Sequence, residues 1–141
     1  MKKKLMALVM TACMAATMLT GCGSSAGSAK DTYTVGICQL VQHPALDAAT
    51  QGFKDALTEK LGDKVKFNEQ NASGESATCS TIVNQFVSSG VDLILANATA
   101  PLQSAAAATN TIPILGTSVT DYATALDISD WNGTTGVNIS G

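Results

Sequence analysis

A parallel β-sheet flanked by α-helices, a single α/β lobe, is the fold predicted by three features of this sequence. From Thr32 onward, short apolar runs alternate with longer stretches whose apolar residues recur every three or four positions, so strand and helix signals take turns along the chain. Glycines stand just beyond the helical stretches, at Gly62 and Gly90, where a helix is expected to stop. The run Val91, Leu93, Ile94, Leu95 does not alternate, as expected of a strand covered on both faces. Strand and helix alternation with right-handed crossovers gives a parallel sheet between helices, and ligands of such sheets sit beyond the carboxyl ends of the strands.

The elements follow in order. A first strand is expected over Tyr33 to Leu40, then a helix from Pro44 to Leu61. Proline suits the first helical turn, where the missing N–H has no helical partner to lose. Leu46, Ala49, Phe53, Ala56, Leu57 and Leu61 form one stripe of that helix, with Lys54, Asp55, Glu59 and Lys60 largely opposite. A strand over Val65 to Gln70 precedes a helix from Glu75 to Ser89, capped by Ser73 or Gly74, whose inner face is Cys79, Ile82, Val83, Phe86 and Val87. Leu93 to Ala96 is the third strand, Pro101 to Thr109 the third helix, Ile112 to Leu115 the fourth strand and Gly136 to Ile139 the fifth.

The residues ahead of this fold carry a different message. Lys2, Lys3 and Lys4 precede an uncharged apolar run from Leu5 to Met18, which is too short for a permanent membrane span and has the form of an export signal. Leu19-Thr20-Gly21-Cys22 then resembles the bacterial lipobox, which implies cleavage before Cys22 and a diacylglycerol on its sulfur. Residues 1–21 are accordingly read as a signal peptide, 22–31 as a flexible Gly/Ser/Ala tether and 32–141 as the folded lobe. The expected product is extracytoplasmic and held on the membrane by lipid without crossing it.

Beyond residue 21, five lysines face eleven acidic groups, a net charge of minus 6, and the chain has no arginine. That composition offers no basic stripe for phosphates and argues against nucleic acid. The remaining length fits one compact domain. Cys38 and Cys79 read as small buried hydrophobes rather than a disulfide or a reactive pair, and no metal-ligand spacing occurs.

Three loops leave the expected carboxyl edge of the sheet: Gln39 to His43, Asn97 to Ala100 and Thr117 to Asp121. None carries a phosphate-binding glycine loop, a dinucleotide fingerprint or a nucleophile turn. A receiver domain would need an aspartate where Asn97 stands, and a Ser-His-Asp set would have to be built on His43, the single histidine. No enzyme, metal or cofactor is expected. Binding uses these residues better. Thr99 and Ala100 stand just before the third helix, where their N–H groups can face an anion, or Thr99 serves as its cap. Thr117 and Ser118 offer hydroxyls or simply form a loop. Asp121 pairs with a ligand ammonium or caps Tyr122 to Leu126, and His43 contacts ligand or caps the first helix.

From Thr34 to Gly141 the sequence resembles the substrate-binding lipoproteins of the tryptophan/tyrosine-type ABC importer family. The matching pieces are Val35-Gly36-Ile37, His43-Pro44-Ala45-Leu46-Asp47, Gly52-Phe53-Lys54-Asp55-Ala56-Leu57, Asn97-Ala98-Thr99-Ala100, Thr120-Asp121 and Gly136-Val137-Asn138. The resemblance implies a Rossmann-like first lobe of a type I periplasmic-binding-protein fold, in which two lobes clamp an aromatic or other apolar amino acid. His43, Thr99, Ala100, Thr117, Ser118 and Asp121 would then line this lobe's half of the cleft. An ABC permease and ATPase would be the partners, with a ligand-sensing or structural surface lipoprotein as the alternative. The sequence ends at Gly141, about where such a chain crosses to its second lobe. The expectation is therefore a gene fragment or truncated product without the second lobe, binding weakly or not at all by itself.

Overall fold

A computed structural model describes residues 30–141. The export signal, Cys22 and residues 22–29 of the tether lie outside the described residues. Five parallel strands, β1 (Tyr33–Gln39), β2 (Val65–Asn71), β3 (Leu93–Asn97), β4 (Ile114–Thr117) and β5 (Ile139–Ser140), stand in the order β2-β1-β3-β4-β5. Helices α1 (Pro44–Leu61), α2 (Ser76–Ser89), α3 (Thr99–Ala108) and α4 (Tyr122–Ala125) connect them, with a single 3-10 turn at Gly62–Lys64. The parallel sheet flanked by helices is the fold class expected.

The chain steps from β1 outward to β2, then crosses back over β1 to β3 and continues to β4 and β5. Right-handed crossovers therefore put α1 on one face and α2 and α3 on the other. The α2/α3 face is the thicker core. Cys79, Ile82, Val83 and Phe86 from α2, with Leu102 and Ala105 from α3, meet Cys38, Ile94, Ala96 and Ile114 of the sheet. Each large side chain removed from water here contributes about 1.5–3 kcal/mol. Phe86 comes unusually close, because Gly36 lies beneath it: a Cβ at that position would stand 2.6 Å from the ring.

The α1 face is thinner. Val35, Ile37 and Leu95 are buried beneath half-buried Phe53 and Leu57. Of the expected stripe, Leu46, Ala49, Phe53, Leu57 and Leu61 are half-buried and Ala56 is exposed. The line of contact runs through 46, 50, 53 and 57, and its one fully buried residue is the polar Thr50. Lys54, expected on the solvent side, lies over the Phe67 ring and pairs with Glu69 at 2.8 Å. The stem of a lysine can cover apolar surface while its ammonium stays wet.

Most boundaries fall within a residue or two of expectation, and the larger shifts have local causes. Strand β4 begins at Ile114, after Pro113, which has no N–H to donate to a ladder. Strand β5 begins at Ile139, because Gly136 adopts φ +69 and breaks extension. Helix α2 is capped by Glu75 without a side-chain bond, and Ser73 (φ 54) and Gly74 (φ 88) instead form the preceding left-handed turn. Gly90 closes α2 at φ 69, ψ 45, its N–H bonded to the carbonyls of Phe86 and Val87. Cys38 and Cys79 are free and buried, as expected.

Candidate ligand-binding edge

Strand order reverses between β1 and β3, and a crevice at the carboxyl ends of two such strands is the usual ligand position in open α/β sheets. Gln39 and Asn97 end these strands as register partners. With Thr50 they are buried polar residues, 4%, 0% and 4% exposed. Gln39 Nε2 donates to Val41 O at 2.9 Å and to Asp47 Oδ1 at 2.6 Å. Gln39 Oε1 accepts from Thr50 Oγ1 at 2.7 Å. Asn97 Nδ2 donates to Leu46 O at 2.8 Å and Thr50 Oγ1 at 2.9 Å, with Gln39 Oε1 at 3.5 Å. Buried polar atoms need such partners, since each one left unmade costs about 1–3 kcal/mol. The sequence reading missed this cluster. Its only signal was an amide at the end of each of two apolar runs and a threonine inside an apolar stripe.

Above the cluster, the chain turns sharply into α3. Ala98 sits at φ 112, ψ 171, a region that glycine alone occupies readily. Its N–H donates to Thr117 O at 3.0 Å, joining the β3 and β4 loops. The helix begins at Thr99, two residues before the expected Pro101, so Thr99 is a helical residue and not the cap. No side chain caps the helix. Leu102 N–H closes the first turn on Ala98 O, and Pro101 has no N–H, so the amides of Thr99 and Ala100 are the free donors of the first turn. A partial positive charge collects there.

Asp121 lies opposite, exposed at the start of α4. Oδ1 accepts from Ala123 N at 2.9 Å and Thr124 N at 3.4 Å, and Oδ2 accepts from Thr124 Oγ1 at 2.7 Å. The capping role foreseen for it is therefore present. These bonds, with the Thr124 hydroxyl foremost, hold its carboxyl below the usual carboxylate range, so it is anionic at neutral pH. Thr99 and Asp121 share an open depression of about 300 Å³ with Gln103, Thr120, Thr124 and Ala125. Gln103 Nε2 braces its floor by donating to Ala125 O at 3.2 Å.

The other expected site residues sit on the same edge outside that depression. His43 caps α1, its Nδ1 accepting from Ala45 N at 3.2 Å, with the ring exposed. Ala100 is half-buried on the first turn of α3. Thr117 ends β4, and Ser118 follows it in the left-handed region at φ 57, exposed. A second open depression, between the β1 and β2 loops, is lined by Gln39, Val41, Gln42, Asp47, Glu69, Asn71 and Ser73. No group of three metal-ligating side chains occurs among the described residues.

An α/β lobe thus carries free helix-terminal amides and an anionic side chain on the carboxyl edge of its sheet, where ligands of such folds bind. The chain belongs to the ABC transporter substrate binding protein family, whose sequence profile matches residues 34–141. A tyrosine-binding protein of Clostridioides difficile is 40% identical over 132 residues, 84% of this chain and 38% of that one. A conserved domain protein of Vibrio cholerae superposes with a TM-score of 0.72 at 37% identity, covering 78% of this chain and 38% of the other. A Streptococcus pneumoniae ABC domain in complex with L-Trp gives 0.71 at 32% identity, with the same coverages of 78% and 38%. So does the ligand-free, open structure of a substrate-binding protein with adhesive properties from Clostridium difficile, at 39% identity and 0.71. This chain thus spans 38% of the length of these relatives.

Proposed function

We propose that this chain is the first lobe of an extracytoplasmic solute-binding lipoprotein that presents an aromatic or other apolar amino acid to an ABC importer. The observation that carries the reading is the pairing of donors and acceptor across one depression. The free amide of Thr99, which lines the depression, with that of Ala100 next to it on the first turn of α3, suits an α-carboxylate, and Asp121, which lines the same depression, suits an α-ammonium. Relatives that are a tyrosine-binding protein and a domain in complex with L-Trp support the same ligand class. Thr117 and Ser118 add hydroxyl donors on the β4 side, and His43 adds a ring nitrogen at the far end of the edge. Cys22 would carry the lipid that holds the protein at the membrane, and a permease and ATPase would receive the ligand.

Isothermal titration of the purified chain with L-tyrosine, L-tryptophan, L-phenylalanine and L-leucine tests the ligand class. Weak but saturable binding of an aromatic or apolar amino acid, weakened further by Asp121→Asn, is expected. Binding that ignores the α-ammonium, shown by equal affinity for the N-acetyl derivative, would contradict the role given to Asp121.

A further inference from the structure

We infer that Gln39 is a positioning residue: its carboxamide locks the loop after β1 to the loop after β3, so that both present their groups to the crevice as one unit. The inference rests on the reading of this edge as the binding cleft, but the lock can be tested without it.

Its hydrogen bonds reach three separate segments, with Asn97 Oδ1 the one buried side-chain atom left without a partner among the described residues. From the end of β1, Gln39 holds its own loop through Val41 O, the first turn of α1 through Asp47, and the next turn through Thr50. Asn97 bonds to the same Thr50 hydroxyl and to Leu46 O. The backbone repeats the connection, since Leu40 N–H donates to Asn97 O at 3.2 Å. Asn97 leads directly into Ala98, whose strained φ and ψ aim the first turn of α3. Apolar side chains of similar volume would fill the space at lower desolvation cost. What they could not do is fix direction, which hydrogen bonds of defined geometry do. The lock also joins groups from opposite sides of the switch point, the relation that a ligand bridging the crevice must read.

Gln39→Glu breaks it with minimal change of shape. The new carboxylate has no donor for Val41 O and faces the Asp47 carboxylate. Adding Asp47→Asn supplies an amide donor to that carboxylate and removes the repulsion. Hydrogen exchange is read at Asp47, on the first segment, and at Ala98 and Leu102, on the second, in the full chain. We expect Gln39→Glu to speed exchange in both segments, about tenfold or more, and the double substitution to restore both. Faster exchange at Asp47 alone, or no change, overturns the lock. Should Gln39→Glu not fold, as seen by circular dichroism, Thr50→Val removes the shared hydroxyl with little change of volume and must loosen both segments. Affinity for L-tyrosine or L-tryptophan should fall about tenfold in Gln39→Glu and return in the double variant. Loosened segments with unaltered affinity would overturn the positioning role. A wild-type chain that binds neither amino acid counts against the cleft reading, while the exchange data still decide the lock.

Discussion

At the scale of the residue, one absent Cβ sets how closely α2 approaches the sheet. Gly36→Ala forces an atom to within 2.6 Å of the Phe86 ring, and the ring has no empty space to retreat into because Phe86 is fully buried. Urea denaturation should show a loss of about 1–3 kcal/mol, as for other overpacked cores. An unchanged midpoint would mean that α2 floats on the sheet. The cysteines make a second test. Burial, helped by Cys79 nearby, pushes the Cys38 thiol up to about 12, and burial also raises Cys79. Because the folded values lie above the unfolded ones, the folded state holds protons that the unfolded chain releases at high pH. Stability should therefore fall as pH rises above about 8.5, the ordinary thiol range. Peptide mass mapping after iodoacetamide should find Cys38 and Cys79 unmodified in the native protein and alkylated in urea.

Site residues were legible in sequence only as positions at strand ends. His43, Thr99, Ala100, Thr117, Ser118 and Asp121 do fall on the carboxyl edge, because a polar residue that ends an apolar run marks where a strand leaves the sheet. Which of them meet was not legible. Thr99 and Asp121 share a depression, a contact that depends on how α3 and α4 pack across 22 residues of sequence, whereas the His43 cap on α1 is local and was one of its two readings. The Gln39, Thr50 and Asn97 cluster was hidden for a related reason. Each residue looks ordinary in its own segment; strand register brings Gln39 to Asn97, and the packing of α1 on the sheet adds Thr50.

At the scale of the element, helix and strand order came through because periodicity is a local signal. Boundaries moved where backbone chemistry overrides it, as at Pro113 before β4 and at strained Ala98 before α3. A local charge contact ties the start of the fold to β3. Asp92 accepts from Thr34 N–H at 2.8 Å and pairs with Lys30. Lys30, then the Thr34 amide, lowers its carboxyl below the usual range. A carboxylate with a depressed folded pKa stabilises the fold above its unfolded value and loses that contribution as pH falls through the folded one. Acid unfolding below about pH 4 should be shallower in Asp92→Asn than in the wild type, followed by circular dichroism. Parallel acid profiles for the two proteins would show that the contact contributes nothing.

At the scale of the whole molecule, the two faces of the sheet are unequally covered. Helices α2 and α3 bury one face under large side chains, and α1 leaves half-buried Phe53, Leu57, Leu93 and Leu115 on the other. The fold class was readable from alternation alone, but strand order was not, because right-handed crossovers fix which face each helix covers only once the order is known. Coverage of the second face was not readable, because it depends on which elements lie over β4. No helix among the described residues is long and apolar enough to cross a membrane. The groups proposed to hold the ligand lie on one edge of the sheet, where Thr99 at the start of α3 and the Asp121 carboxylate line one depression.

The most direct test of that convergence is to titrate the nitrogen-15-labelled chain with L-tryptophan and follow every backbone amide by NMR. The account predicts that the amides of Thr99 and Ala100 shift first and furthest, with smaller shifts through residues 117–121 and at residues 40–43. Shifts confined to the outer surfaces of α1 and α2, or spread evenly over the sheet, would contradict it.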